Sequence, residues 1–155
     1  TGHLCLATLH TTNAYQSIER IVNMFPEEYH NQVRMSLSMN LKAIISQRLI
    51  PSTNGNMTVA IEILLNQGLV RELIHTGEIS KIKEVMEANN QLGMCSFDQS
   101  LFMLYHDGLI TEETAIAQAD QPGDLKIRLR QFAMGETSKK DVFKNMDTSL
   151  LSFSD

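Results

Sequence analysis

The hydrophobic pattern changes period several times along the chain. Leu4, Cys5, Leu6, Ala7 and Leu9 form an almost continuous apolar run, which suits a strand covered on both faces in a parallel sheet. From Ala14 the period becomes helical, with Ala14, Ile18, Ile21, Val22 and Phe25 on one face. Thr11, Thr12 and Asn13 precede that face and are residue types that cap helix N-termini. Pro26-Glu-Glu28 predicts a second helix start, since Pro fits a first turn and acids favour the positive end of the helix dipole. Its expected buried stripe is Val33, Leu37, Leu41, Ile44 and Ile45. The segments 48–51 and 57–64 then read as strands, joined by the turn residues Ser52-Thr-Asn-Gly-Asn56.

Beyond Asn66 the period is helical again, and short helices are expected over 67–75, 79–89, 97–107, 112–119 and 123–134. Ser96 and Gln99 have the spacing of a capping box, and Thr111 stands before Glu112 and Glu113. Gly77, Gly93, Gly108 and Gly123 fall at the expected breaks. After Gly135 the chain turns polar, which predicts a poorly ordered tail. The expected division is 1–66, a helical part over 67–134, and the tail 135–155. A lone buried strand needs neighbours from elsewhere, and the chain begins at Thr1 with no initiating Met. The expected fold is therefore the carboxy-terminal part of an α/β domain, with a hairpin and helices, followed by a small helical bundle.

Composition narrows the function. With 43% apolar residues the chain can bury a core, and a net charge of −5 argues against a nucleic-acid-binding surface. Cys5 and Cys95 lack CxxC spacing and read as reduced thiols of a cytosolic protein. No apolar run approaches the ~20 residues that span a bilayer. His3 and His10 flank the apolar run seven residues apart, so on a straight strand they face opposite ways and would not share a metal. No metal site is expected. His10, Thr11 and Thr12 end the expected strand, where ligands of open α/β sheets gather. An imidazole with hydroxyls beside it there could sense a terminal phosphate or position a water.

These residues also carry a resemblance. Thr1-Gly-His3-Leu4 followed by Thr8-Leu-His10-Thr-Thr-Asn-Ala14 resembles the histidine box of RecA-like motor ATPases of secretion and pilus systems. The likeness continues in family order through Ile18-Glu-Arg-Ile21, Phe25-Pro-Glu-Glu28, Leu41 to Leu49, Ala60-Ile-Glu-Ile63, Leu92-Gly-Met94 and Phe97 to Leu101. It is strongest to the twitching-motility retraction ATPases of the PilT/PilU family, and within them to the PilU branch.

By this resemblance His10 lies close to the γ-phosphate and His3 supports the adjoining segment, which makes both candidate catalytic residues. His10, Thr11 and Thr12 are the candidate nucleotide contacts. Arg20 matches a recurrent basic position with no contact assigned; a salt bridge on an exposed helix face is its other reading. Leu69, Val70, Arg71, Glu72, Leu73 and Ile74 fall at a motif linked to retraction. Glu72, His75 and Thr76 depart from it, which points toward PilU. Leu69, Val70, Leu73 and Ile74 also have ordinary helix-core spacing. The paired CxxC motifs of extension and type II secretion ATPases do not occur.

Neither a GxxxxGK[ST] phosphate loop nor an acidic metal-binding strand occurs in the 155 residues. The resemblance thus implies a full-length enzyme using ATP and Mg2+, and a chain that binds neither and hydrolyses nothing alone. It further implies a cytoplasmic homohexamer, or a hetero-assembly with a paralogue, peripherally attached to the inner membrane at the pilus base proteins. The rival expectation is a non-catalytic helical interaction module of a membrane-associated secretion complex.

Overall fold

A computed structural model describes residues 2–88 and 93–135. Helix α1 (Ala14–Asn23) starts at Asn13, whose side chain accepts the Gln16 N–H, and it buries Ala14, Ser17, Ile18 and Val22. Phe25, expected on that face, is exposed beyond the helix end. A 3-10 turn (Glu27–Tyr29) leads into α2 (His30–Asn40).

Strand β1 (Ala43–Pro51) pairs antiparallel with β2 (Met57–Leu65) over nine residues each. The expected helical stripe is corrected here: Ile44 and Ile45 belong to β1, and Ile45 is exposed. Helix α2 stops because its last carbonyls find another donor. Asn66, at the end of β2, donates Nδ2 to the Ser38 and Leu41 carbonyls at 2.9 Å each. Freed from helical geometry, the β-branched Ile44 and Ile45 pair with Leu64 and Ile63.

The hairpin turn closes with Ser52 N–H on the Asn56 carbonyl, and Gly55 there has φ +82°. Beyond it come α3 (Leu69–Thr76), a 3-10 turn (Ile79–Lys81), α4 (Ile82–Ala88), α5 (Phe97–His106), α6 (Glu112–Gln118) and α7 (Pro122–Ala133). The Ser96–Gln99 capping box of α5 and the Thr111 cap of α6 form as the sequence predicts. Gly77 ends α3 in the left-handed region at φ +82°, a conformation that L side chains rarely adopt. Gly123 departs from expectation: it lies inside the first turn of α7, behind Pro122 at the helix start. The tail over 136–155 lies outside the described residues.

One face of the hairpin supports two hydrophobic clusters. Ile50 and Ala60 join Phe97, Leu101, Phe102, Leu125 and Leu129. Leu64 joins Ala14, Ile18, Val70, Leu73, Ile74, Ile82 and Met94. The opposite face is apolar yet open, with Ile45, Leu49 and Met57 exposed. The largest correction concerns residues 4–9. They form no strand, and Leu4 and Leu6 are 75% and 89% exposed. A strand gains its stability from a ladder partner and a covering layer; among the described residues this run has neither.

Candidate functional site

The histidine-bearing segment runs along the surface into the N-terminus of α1. His3 and His10 are both exposed, and among the described residues no group of three potential ligands could hold a metal ion. Residues 10–14 are nevertheless fixed. Arg20 donates from Nη1 to the His10 carbonyl at 3.0 Å. That contact gives Arg20 a partner that neither reading of the sequence named, on the backbone of the segment before α1. Thr11 Oγ1 lies 2.5 Å from Ser17 Oγ, and Thr12 Oγ1 donates to Gln16 Oε1 at 2.6 Å.

Below this segment sit charged residues that sequence reasoning did not single out. Glu62, on the buried face of β2, accepts the Ala14 N–H at 2.7 Å. Arg48, on β1, reaches the Thr12 carbonyl at 3.4 Å and pairs with Asp120 at 2.8 Å. Asp98, buried in the first turn of α5, accepts the N–H groups of Asp120 and Gln121 at 2.7 and 2.9 Å. One signal for Glu62 was present: it is a lone carboxylate in the otherwise apolar run from Val59 to Leu65. Nothing in the sequence told which amide it would hold.

Burial is the main influence on Glu62 and pushes its carboxyl above the ordinary range; the Ala14 N–H opposes this, Asp120 adds to it, and Ser46 and Arg48 oppose it. A carboxyl raised on folding binds its proton more tightly in the folded state. Its ionised form therefore costs stability above the ordinary glutamate range, and that cost fades as pH falls through it. Glu62→Gln keeps an acceptor for Ala14 and should melt at or above the parent temperature at pH 7, the gap closing toward pH 4. Glu62→Ala orphans a buried amide and should lose about 1–3 kcal/mol in denaturant titrations. A Gln variant less stable than the parent at pH 7 would refute the assignment. Burial, followed by the charge on Glu62, also pushes the Cys95 thiol up to about 12, so it is not a nucleophile at neutral pH.

The Ala14 and Gln16 amides at the N-terminus of α1 are taken by Glu62 and Asn13, so this helix end does not form a free anion cradle. His10 is exposed beside it, whereas the Thr11 and Thr12 hydroxyls are engaged by Ser17 and Gln16.

The retraction-motif region forms α3 and divides by face. Val70, Leu73 and Ile74 are buried, whereas Arg71 and Glu72 face solvent. Leu69 departs from the expected core spacing: it opens the helix, directly after Gly68, and is 51% exposed.

Residues 1–100 match the family described as Type II/IV secretion system protein. The chain is 44% identical over 97% of its length to the type IV pilus ATPase PilU of Pseudomonas aeruginosa, and it spans 39% of that protein. It is 38% identical over 79% of its length to the type IV pilus retraction ATPase PilT of the same organism, spanning 36% of it. Among solved structures, the pilus retraction motor PilT with bound ADP superposes with a TM-score of 0.72 at 38% identity. That match covers 82% of this chain and 35% of the other. The Legionella pneumophila ATPase DotB, at 19% identity and a TM-score of 0.58, shares the fold over 71% of this chain and 31% of its own.

Proposed function

Because this chain belongs to the type II/IV secretion system protein family, we propose that it forms the carboxy-terminal part of a hexameric ATPase that powers type IV pilus retraction and twitching motility. One observation carries this reading: the likeness to PilU runs through 97% of the chain. The likeness to PilT covers 79%, which supports placement on the PilU side. The divergent Glu72, His75 and Thr76 on α3 agree with it.

In this reading the phosphate loop and the acidic strand come from parts of the protein beyond these 155 residues, and they hold ATP and Mg2+. Bound Mg·ATP supplies the phosphoryl group whose transfer to water drives movement. His10 donates toward the terminal phosphate edge from a backbone fixed by Arg20. Thr11 and Thr12 lie next to it, and His3 supports the lead-in segment. The open apolar face of the hairpin is free to meet neighbouring parts of a larger domain. The protein works in the cytoplasm as a homohexamer, or with a paralogous retraction ATPase, against inner-membrane proteins at the pilus base. Among the described residues no helix is long and apolar enough to cross a membrane.

Phosphate-release assays should show Mg2+-dependent ATP turnover by the full-length protein and none by residues 1–155 alone. Deleting the gene should abolish or weaken twitching on surfaces. Robust turnover by residues 1–155 would overturn the reading, and so would a full-length protein that binds no nucleotide; the latter would favour a docking module.

A further inference from the structure

Arg48 stands where several distant parts of the chain meet. Its Nη2 pairs with Asp120 at 2.8 Å and reaches the Thr12 carbonyl at 3.4 Å, while Nη1 donates to the Gln118 carbonyl at 3.1 Å. The guanidinium carbon lies over the Phe97 ring, 3.9 Å from its centroid. A ring on one side and hydrogen bonds from both terminal nitrogens hold the planar fork in one orientation.

The far end of this grip is rigid as well. Asp120 and Gln121 lie between α6 and α7, and their N–H groups end on the Asp98 carboxylate of α5. A continuous path of directional contacts therefore runs from the start of α5, through the α6–α7 connection, to Arg48 and on to Thr12. At its near end the backbone of 10–14 is also tied by Arg20 at His10 and by Glu62 at Ala14. Moving the α6–α7 connection must either drag Thr12 or break the fork.

We propose that Arg48 is a positioning residue that couples the α6–α7 connection to the histidine-bearing segment, so that the helical bundle and His10 are placed together. Its consequence for turnover rests on the ATPase reading above, but the mechanical link does not. The partner is one acid and two main-chain carbonyls, a set that a point charge cannot serve as a fork can.

The test uses the full-length protein with Arg48→Gln, Arg48→Lys, Asp120→Asn and the Arg48→Gln/Asp120→Asn double variant. Asp120→Asn is isosteric and leaves the main-chain bond to Asp98 in place, so it keeps the fold if Arg48→Gln does not. Asp120→Asn should lower kcat roughly 5-fold and Arg48→Gln roughly 10-fold, with KM for ATP within about two-fold, and the double variant should match Arg48→Gln. Arg48→Lys should restore the melting temperature without restoring kcat. Independently of turnover, hydrogen exchange of amides 10–16 should speed up roughly 5-fold in Asp120→Asn, while those of α5 stay protected.

If single effects multiply in the double variant, or if Lys restores kcat together with stability, the coupling is refuted. Unchanged exchange at 10–16 refutes it as well. Should the parent hydrolyse no ATP, the ATPase reading falls, and the exchange result alone decides the coupling.

Discussion

His10→Ala in the full-length protein should lower ATP turnover by about 100-fold or more while leaving the melting temperature nearly unchanged. The side chain is exposed, and the hydrogen bond that anchors this residue uses its carbonyl, accepted from Arg20. Alanine keeps that carbonyl, so the segment should hold its path. What disappears, on the function proposed above, is an imidazole donor toward the transferring phosphate. Removal of one such donor in a water-excluded site typically costs about 100- to 1000-fold in kcat. Substitution of an exposed side chain away from caps and cores stays within about 0.5 kcal/mol of stability. His3→Ala should do less, because His3 is assigned support rather than contact. Steady-state phosphate release beside a thermal melt separates the two effects. Turnover by His10→Ala within two-fold of the parent would remove His10 from the reaction.

The second large effect is on folding. Asp98→Ala should destabilise the protein by about 3 kcal/mol, with Asp98→Asn losing about half of that. The carboxylate is buried at the start of α5 and takes two main-chain N–H groups from the α6–α7 connection. Alanine leaves both without a protein acceptor. Asparagine keeps one oxygen but points an amide at the second N–H. The same loss should loosen Asp120, and with it the anchor of Arg48. Asp98→Ala should therefore also speed amide exchange at 10–16, a long-range effect that a local core defect would not give. Denaturant titration at pH 7 measures the first effect. A loss under 1 kcal/mol would show that water substitutes freely for the carboxylate.

Local chemistry was legible from residue types alone. Asn13 caps α1, Ser96 and Gln99 box α5, and Thr111 caps α6, each through bonds that close within three residues. Helices α3 to α7 fall close to their expected spans for the same reason. The hairpin was also legible, but not its length, because β1 begins five residues before the expected Arg48. The helical period puts Ile44 and Ile45 on the stripe of the second helix, and pairing with β2 overrides it. The run from Leu4 to Leu9 has a strand's composition, but composition supplies no ladder partner.

The sequence by itself therefore determined the capped helices, the turn, and the residue order that identifies the family. Tertiary structure alone decided what surrounds the histidine segment. Glu62 meets Ala14 across 48 residues, Arg48 meets Thr12 across 36, and Arg48 meets Gln118 across 70. A cap is specified by two residues a turn apart, whose distance the backbone itself sets. Contacts at these separations exist only after two clusters have packed against one face of the hairpin, which brings strand, helix end and interhelical connection to the same few ångströms. The histidines were visible from the first residues; what fixes the backbone at His10 was not.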